Sequence, residues 1–464
     1  MSEHAPIDQA VAQAAEAAPL WAQASIEVRA TLLRGLASAL EANKEALIPL
    51  ADEETHLGAV RLGGEIARTA YQLRGFAEHL EQGAAHTVVI AEAIAGTPPA
   101  GRPPLARVLR PLGPVAMFSA SNFPFAFSVL GGDTASALAA GCPVVVKAHS
   151  GHPRLSRAVF AIAAGVLAAQ GLPEGLLTLV DKASRGAGGY LVQHPQIAAV
   201  AFTGSYQGGT ALWKLANERP RPIPFFGELG SINPLIALPQ ALERDSAALA
   251  HTLASSMTLG CGQFCTSPGV IVLLEGSASD GFIGQLRDAL APIQPHPMLT
   301  AGMRDGFEQA SATVAANAAT LLASAGNAAA PGPRLYEASA AAFIAKPALR
   351  EEMFGPAALI VKAKGLGEIE QVLGAIGGTL TTTLWGANDD TPANRALVRA
   401  AENISGRVLF AGVPTGVAVC AAQQHGGPWP SSTAPQTTSV GYAALERFLR
   451  PVALQDAPAW ALQP

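Results

Sequence analysis

The chain has 464 residues, of which 49% are apolar and 14% are charged, and its mean hydropathy is +0.27. Its formal net charge of −5 excludes attraction to nucleic acid or to an anionic membrane as the basis of its function. No apolar run reaches the roughly 18 residues that a transmembrane helix needs. The length is enough for two or three domains with a large buried core.

The low proportion of charged residues bears on the surface. An average globular chain is about 25% charged, so this composition predicts that a partner subunit covers part of the surface. We therefore expect a homodimer or a homotetramer. A drift of composition towards alanine and glycine would explain the same number, and both interpretations stay open.

The cysteines and the N-terminus bear on the compartment. In a chain of this length, Cys142, Cys261, Cys265 and Cys420 do not form a disulfide framework. No second Cys/His cluster completes a zinc site. The N-terminus shows no basic region followed by an apolar core. We predict a cytoplasmic protein with no metal site and with no membrane or nucleic-acid partner.

Helices are predicted first along the chain, over residues 6–84. Apolar residues recur there at three- and four-residue spacing, over 26–47 and again over 66–79. The pattern then changes to a strand-like segment at 87–90, a Pro/Gly-rich bend and a possible partner strand at 108–110. This second region predicts an extended β arm.

Strands and helices alternate through the rest of the chain. Such alternation predicts a parallel sheet with helices on both faces, so the fold class is α/β. The Ala-rich stretch 314–330 is predicted to be helical, and residues from 426 onward are predicted to be irregular. The alternating segments lie at 115–118, 135–140, 143–147, 154–170, 177–180 and 197–202, and the pattern resumes over 233–420.

A possible nucleophile and a possible base occur in this second half. Cys265 lies in a turn punctuated by glycine and proline, where a thiol can face a pocket. Glu228 lies between Gly227 and Gly230, and in a partly desolvated pocket it would have a raised pKa and take a proton from water. A thiol that forms a covalent adduct and a carboxylate that activates water together describe acyl-enzyme chemistry.

Each of these residues also has an ordinary structural explanation. A cysteine in an apolar chain is usually a buried core residue, and a single glutamate is usually solvated. Cys261 is a rival nucleophile. Asn122 could donate its amide N–H in an oxyanion hole, or cap a turn before Pro124.

A glycine-containing segment precedes both residues. Gly204 and Gly208 would open a helix whose N–H groups face a pyrophosphate. Their spacing is not G-x-G-x-x-G, so the segment is weak evidence by itself. The interpretation of this segment is supported by its position before Glu228 and Cys265 in the chain.

The order of these segments resembles that of the aldehyde dehydrogenase superfamily over nearly the whole chain. More narrowly, segments at 127–149, 412–417, 424–428 and 437–441 resemble α-ketoglutaric semialdehyde (2,5-dioxopentanoate) dehydrogenases. The superfamily motifs are Ser-Asn-Phe-Pro at 121, Val-Val-Lys at 145, Phe-Thr-Gly-Ser at 202, Glu-Leu-Gly at 228, Gly-Gln-x-Cys at 262 and Glu-Met-Phe-Gly-Pro at 352.

The resemblance implies an aldehyde dehydrogenase-like fold. That fold has a Rossmann-type cofactor domain, an α/β catalytic domain and a small β arm that joins subunits. The implied boundaries are 1–85 and 112–230 for the NAD(P)-binding domain, 231–425 for the catalytic domain, 426–439 for a connecting segment, and 86–111 with 440–464 for the oligomerisation arm and tail.

The resemblance also implies NAD(P)-dependent oxidation of an aldehyde to a carboxylic acid. The reaction would pass through a thiohemiacetal and a thioester on Cys265, with Glu228 as base and Asn122 as oxyanion donor. The residues implied to bind the cofactor are Lys147 at the adenosine ribose, Thr203, Gly204, Ser205 and Gly208 at the pyrophosphate, and Glu352 and Phe354 at the nicotinamide end.

Position 150 bears on the choice of cofactor. NAD-preferring relatives place a glutamate three residues after the lysine at 147, whereas this chain has Ser150. Loss of that carboxylate removes repulsion against a 2′-phosphate, and Arg185 could supply a counter-charge. We expect NADP to be used, with NAD also possible. If Arg185 is only a solvated loop residue, both cofactors bind.

The substrate implied by the resemblance is α-ketoglutaric semialdehyde. Its carboxylate needs a cation, and Arg61, Arg68 and Arg74 are the candidates. Ala411 and Ala418 depart from the family pattern near the expected substrate mouth, which leaves a fatty or medium-chain aldehyde as an alternative.

Two further interpretations keep the fold. A CoA-acylating enzyme would hand the acyl group to coenzyme A, although Glu228 would then be superfluous. A non-catalytic homologue would not need Asn122, Glu228 and Cys265 together.

Overall fold

The computed structural model describes residues 4–83, 87–181, 185–327 and 330–462. Within these ranges the helices are α1 Ala5–Ala22, α2 Ile26–Ala42, α3 Lys44–Thr55, α4 Ala59–Glu81, α5 Gly132–Ala140, α6 Pro153–Ala169, α7 Arg185–Gln193, α8 Tyr206–Asn217, α9 Pro239–Thr258, α10 Ser277–Leu290, α11 Ala301–Ala315, α12 Ala340–Ala345, α13 Leu366–Ile376 and α14 Pro392–Ile404. The strands are β1 Val89–Ala91, β2 Leu105–Pro111, β3 Val115–Phe118, β4 Val144–Lys147, β5 Leu177–Val180, β6 Ala199–Thr203, β7 Phe225–Glu228, β8 Pro234–Ala237, β9 Val270–Leu274, β10 Ala319–Ala323, β11 Arg334–Ser339, β12 Ala357–Ala363, β13 Thr379–Trp385, β14 Ser405–Leu409 and β15 Leu449–Gln455.

The N-terminal helices α1 to α4 share a core with the first sheet, as their apolar spacing predicts. α2 begins where the Ser25 hydroxyl accepts a hydrogen bond from the N–H of Val28 (3.4 Å). Its leucines form a buried stripe that belongs to the same apolar cluster as Val144 and Val146 of β4. Burial of this stripe, more than helix propensity, stabilises the layer.

A five-stranded sheet brings four strand ends to one edge. Its order is β5-β4-β3-β6-β7, and every neighbouring pair is parallel. The order reverses between β3 and β6, and ligands of such sheets bind outside the carboxyl ends of the strands at that point. The residues at or just after the carboxyl ends of β3, β4, β6 and β7 are Asn122, Lys147, Thr203 and Glu228.

A seven-stranded sheet follows in the order β10-β11-β12-β9-β8-β13-β14, and it corrects one prediction. The stretch 314–330 is not one helix, because α11 ends at Ala315 and residues 319–323 form β10, which pairs antiparallel with β11. Pairing to an existing sheet edge here outweighs the helix propensity of alanine. The other neighbouring pairs in this sheet are parallel.

The arm is a three-stranded antiparallel sheet in the order β1-β2-β15. The tail is therefore not irregular to its end, since β15 lies along β2 and completes the arm within one chain. Val89 and Ile90 on β1 are 47% and 59% exposed. The domain boundaries inferred from the resemblance stay predictions.

None of the described helices combines the length and the apolar character that crossing a membrane requires.

Candidate active site

A sharp turn presents the Cys265 thiol to the interior of the molecule. Gly260, Cys261 and Gly262 all have positive φ, at 55°, 59° and 67°. A Cβ at Gly262 would lie 2.3 Å from the carbonyl oxygen of Gly355, so glycine is required at this close approach. The chain changes direction at this turn, and Cys265 lies half-buried opposite the end of β7.

Glu228 is the last residue of β7, and its side chain is buried at 4% exposure. The Ser439 hydroxyl donates to Oε2 at 2.5 Å, and Nε2 of His425 lies 3.1 Å from Oε1. The Cys265 thiol lies within 4.8 Å of this carboxylate. Glu228 is therefore not a solvated loop residue, because its carboxylate is buried and hydrogen-bonds to two different side chains.

His425 completes this group, and it is the residue that sequence reasoning missed. Its ring is fully buried, and Nε2 lies 3.6 Å from Cys265 Sγ as well as beside Glu228. The ligand-type atoms of the three residues all lie within 4.8 Å of one another. The segment 424–428 is part of the family resemblance, but nothing local indicates that this histidine faces the thiol.

The pKa of Glu228 differs from the expectation. Burial alone would raise it, but the charge and hydrogen bond of His425, with the donors from Ser439 and Cys265, lower the pKa of Glu228 overall. The expected raised pKa is wrong because the pocket is buried yet rich in donors. By contrast, burial and the adjacent Glu228 carboxylate raise the pKa of Cys265 well above its ordinary value. The resting pair is a neutral thiol beside a carboxylate.

The hydrogen bond from Nε2 to the Glu228 carboxylate selects one form of the imidazole. An ionised carboxylate only accepts, so Nε2 of His425 carries a proton. Among the described residues Nδ1 has no hydrogen-bond partner. His425 thus donates to Glu228 beside the thiol and stabilises the ionised base.

Asn122 lies beside the Cys265 turn. Its side-chain Nδ2 donates to the backbone carbonyl oxygen of Gln263 at 2.9 Å. The backbone carbonyl oxygen of Asn122 accepts from Arg61 Nη2 at 2.6 Å. The guanidinium of Arg61 lies over the rings of Phe123 and Phe264, at 5.1 and 4.6 Å from their centroids. Arg61 therefore ties the loop after β3 to the Cys265 turn.

Cys261, the rival nucleophile, is placed differently. Its thiol is buried and donates to the carbonyl oxygen of His296 at 3.1 Å. Burial raises the pKa of Cys261 to about 12. The hydrogen bonds of the described residues connect this thiol to no base.

Comparison with known proteins identifies the family. The Aldehyde dehydrogenase family matches residues 1–448. The chain belongs to the aldehyde dehydrogenase family. The alpha-ketoglutaric semialdehyde dehydrogenase 2 of Azospirillum brasilense is 44% identical over 462 residues, covering 99% of this chain and 88% of that protein. The alpha-ketoglutaric semialdehyde dehydrogenase of Acinetobacter baylyi is 38% identical over 460 residues, covering 97% and 86%. These findings confirm the resemblance seen in the sequence.

Solved structures of more distant proteins show the same fold. The 1-pyrroline-5-carboxylate dehydrogenase from Thermus with bound NAD has a TM-score of 0.82 at 20% identity, covering 98% of this chain and 86% of that one. Aldehyde dehydrogenase 21 from Physcomitrella patens has a TM-score of 0.81 at 21% identity, covering 99% and 92%. The expected aldehyde dehydrogenase-like α/β fold is confirmed, and as a member of this family the dehydrogenase oxidises an aldehyde with NAD or NADP.

The edge of the five-stranded sheet fits such a cofactor. The hydroxyl of Ser205 caps α8 by accepting from the N–H of Gly208 (3.2 Å), and Gly204 N–H donates to the carbonyl oxygen of Glu228. A Cβ at Gly209 would lie 2.1 Å from Leu229 Cδ2, so this helix start packs closely on the chain after β7. Among the described residues, the buried hydroxyl of Thr203 has no partner, and a ligand at this edge would supply one.

The remaining cofactor candidates lie around the same edge. Lys147 ends β4 and donates to the carbonyl oxygen of Ala148 at 2.8 Å, and Ser150 is exposed in the following turn. Arg185 begins α7, but its side chain lies outside the described part of the structure. The predicted counter-charge from Arg185 therefore stays a prediction.

Glu352 and Phe354 line a cavity beside the Cys265 turn. Gly262 and Phe264 contribute to the same cavity. A Cβ at Gly230 would lie 2.4 Å from Glu352 Oε2, so glycine allows this carboxylate its position. Burial raises the pKa of Glu352 to about 7. The cavity joins the sequence motifs at 262 and 352, and Gly230 of the motif at 228 lies against Glu352.

The three candidate arginines of α4 separate in space. Arg74 forms two hydrogen bonds with Glu41, at 2.9 and 2.5 Å, on the half-exposed outer face. Arg61 contacts Asn122, as described above. Arg68 lies over the ring of Phe127, and the Phe123 ring contacts both Phe127 and Phe264, the residue before Cys265. Arg68 is thus linked through ring contacts to the Cys265 turn, whereas Arg74 lies outside the group.

Proposed function

We propose that this dehydrogenase oxidises α-ketoglutaric semialdehyde to α-ketoglutarate, using NADP or NAD. The observation that carries the proposal is the 44% identity, over 99% of the chain, to a protein named for that substrate. The grouping of Cys265, Glu228, His425 and Asn122 supports the chemistry. Its products are the keto diacid, the reduced cofactor and a proton.

Cys265 begins the reaction by attacking the aldehyde carbon. Because burial and Glu228 raise the pKa of its thiol, the proton must leave as the C–S bond forms. The Glu228 carboxylate lies beside the thiol and takes that proton. The amide of Asn122 donates to the substrate oxygen, which becomes an oxyanion.

Glu228 then acts on water. A bound nicotinamide supplies the acceptor for the substrate hydride, which leaves an acyl group on Cys265 as a thioester. Glu228 first releases the thiol proton to solvent and can then remove a proton from the attacking water. The carboxylic acid leaves, and the proton taken from water passes from Glu228 to the departing thiolate, which restores the thiol. A well-placed base favours hydrolysis over transfer to coenzyme A.

The first test compares substrates and cofactors with the purified enzyme. We expect kcat/KM for α-ketoglutaric semialdehyde to exceed that for octanal at least about tenfold, since a carboxylate adds charged hydrogen bonds. Initial rates of NADPH and NADH formation measure both preferences. Preference for octanal would overturn the substrate while leaving the chemistry, and turnover that requires coenzyme A would overturn hydrolysis.

We further propose that NADP is accepted at least as well as NAD. Ser150 places no carboxylate after β4, so nothing at this position repels a ribose 2′-phosphate. A small hydroxyl can donate a hydrogen bond to that phosphate. The same initial rates give the ratio of the two cofactors.

Assembly and location complete the proposal. The exposed apolar residues of β1, with Ile94 beyond it, favour a homodimer or a homotetramer formed through the arm. Cys142, Cys261, Cys265 and Cys420 are free thiols, which favours a reducing, cytoplasmic setting.

We expect His425→Gln to lower kcat about tenfold and to move the acidic limb of the pH profile to higher pH. His425 lowers the pKa of Glu228, so its loss raises that pKa, and the base is then protonated at a higher pH. The pH dependence of kcat/KM measures this shift, which a purely structural role would not produce.

A matched control is His194→Gln, because His194 lies beside Asp8, on α1, away from the catalytic group. That variant should keep the profile of the parent enzyme. If His425→Gln lowers kcat without moving the acidic limb, His425 does not act through the ionisation of Glu228.

A further inference from the structure

Two arginines from distant parts of the chain bind the same short segment. Arg68 of α4 donates through Nη2 to the carbonyl oxygen of Val417 at 3.5 Å. Arg407 of β14 donates through Nη2 to Pro414 O at 2.6 Å and through Nη1 to Gly416 O at 3.2 Å. Both guanidinium groups therefore donate to backbone carbonyl oxygens of residues 414–417, the segment after β14.

Each of these arginines also has an unused buried donor. Within the described residues, Arg68 Nη1 and Arg407 Nε have no hydrogen-bond partner. Neither Arg68 nor Arg407 forms an ion pair with another described residue. A buried donor without an acceptor, on a cation without a counter-ion, is an unfavourable arrangement that an anion would relieve.

Glu65, which lies on the same helix as Arg68, does not provide that anion through a hydrogen bond. Glu65 Oε1 already accepts from the backbone N–H groups of Phe125 and Ala126, at 2.8 and 2.9 Å. It influences the pKa of Arg68, but it forms no hydrogen bond with that residue within the described structure. The ring of Phe127 lies against the Arg68 guanidinium, 5.3 Å from its centroid, and provides an apolar wall.

A series of ring contacts leads from Arg68 to the nucleophile. Its guanidinium lies over Phe127, and the Phe123 ring contacts both Phe127 and Phe264, the residue before Cys265. Burial lowers the pKa of Arg68 and of Arg407, and in each case the charge of a Cys265 thiolate would oppose that change. In α-ketoglutaric semialdehyde four C–C bonds separate the aldehyde carbon from the carboxylate carbon. With C–C bonds of about 1.5 Å in an extended zigzag, these two carbons lie about 5 Å apart. A substrate of this length would bridge an anion site and a thiol that lie about that far apart.

We propose that Arg68 and Arg407 together bind the carboxylate of a short aldehyde acid while its aldehyde group reacts at Cys265. The inference rests on the proposed function and names the groups that select its substrate. Of the arginines suggested by the sequence it retains Arg68, and it adds Arg407 from β14. Arg61, which contacts Asn122 between two rings, acts instead as a positioning residue.

The test uses Arg68→Met and Arg407→Met, which keep an apolar stem and remove the charge. We expect each to lower the ratio of kcat/KM for α-ketoglutaric semialdehyde to kcat/KM for pentanal at least about tenfold. The change should appear mainly in KM for the aldehyde acid. Arg74→Met, at the Glu41 pair outside the site, should keep the ratio. Equal losses with both aldehydes would overturn the proposal, because the arginines would then only hold the segment 414–417.

A second measurement separates this inference from the proposed function. α-Ketoglutarate is tested as a competitive inhibitor of pentanal oxidation by the parent enzyme and the variants. Inhibition that weakens at least about tenfold in Arg68→Met and Arg407→Met supports the anion site, even if the semialdehyde proves to be a poor substrate. Inhibition that is equal in all variants would overturn the anion site, even if the semialdehyde proves to be the substrate.

Discussion

Cys265→Ala is expected to abolish aldehyde-dependent formation of NADPH and NADH, a loss of more than about 10⁴-fold in kcat. The Cys265 thiol is the proposed nucleophile, and it lies beside both Glu228 and His425. Without it the substrate forms no covalent adduct, and the base has no thioester to hydrolyse. Initial rates at saturating substrate measure the loss, and the thermal midpoint should stay close to that of the parent protein.

Cys261→Ala is the matched control. Its thiol is buried and donates to His296 O, and it lies beside no base among the described residues. This variant should keep most of the activity, with at most a modest loss of stability from the small cavity. Full activity in Cys265→Ala, or a selective loss in Cys261→Ala, would transfer the role of nucleophile to the other cysteine.

Glu228→Gln is expected to lower steady-state kcat by about 10²- to 10⁴-fold, the usual contribution of a general base. The same change should make Cys265 easier to alkylate with iodoacetamide at neutral pH. The reason is that the Glu228 carboxylate, together with burial, raises the pKa of the thiol. Removing that charge lowers the thiol pKa and increases the fraction of thiolate.

Mass spectrometry of the peptide that contains Cys265 measures the alkylation separately from the exposed Cys420. Ser439→Ala is a graded control, since it keeps the carboxylate and removes one donor to Oε2. It should lower kcat less than about tenfold. If Glu228→Gln instead slows the alkylation of Cys265, the carboxylate acts on the thiol mainly by accepting its proton. Its effect on the pKa of the thiol is then the smaller one.

The sequence by itself determined the fold class and the principal chemical groups. The strands of the first sheet are short apolar runs between helices, because a parallel sheet covered on both faces needs side chains of that kind. Asn122, Lys147 and Thr203 follow or end three of these runs, so their order along the chain predicts that they share one edge. The strand that Glu228 ends was not predicted from the sequence. The turn before Cys265 is also a local feature. Positive φ favours glycine, so the glycines in the sequence mark this turn.

Only the tertiary structure decided the environment of those groups. His425 lies 160 residues from Cys265 and 197 from Glu228 along the chain, and no local pattern connects them. The pKa of Glu228 depends on these distant donors, so local reasoning predicted the wrong direction. Pairing of β10 with β11 likewise replaced an expected helix. Arg68 and Arg407, on α4 and β14, meet only when both elements pack around the segment 414–417. Hydrogen bonds and charges act through space, so partners far apart in sequence become visible only once the chain has folded.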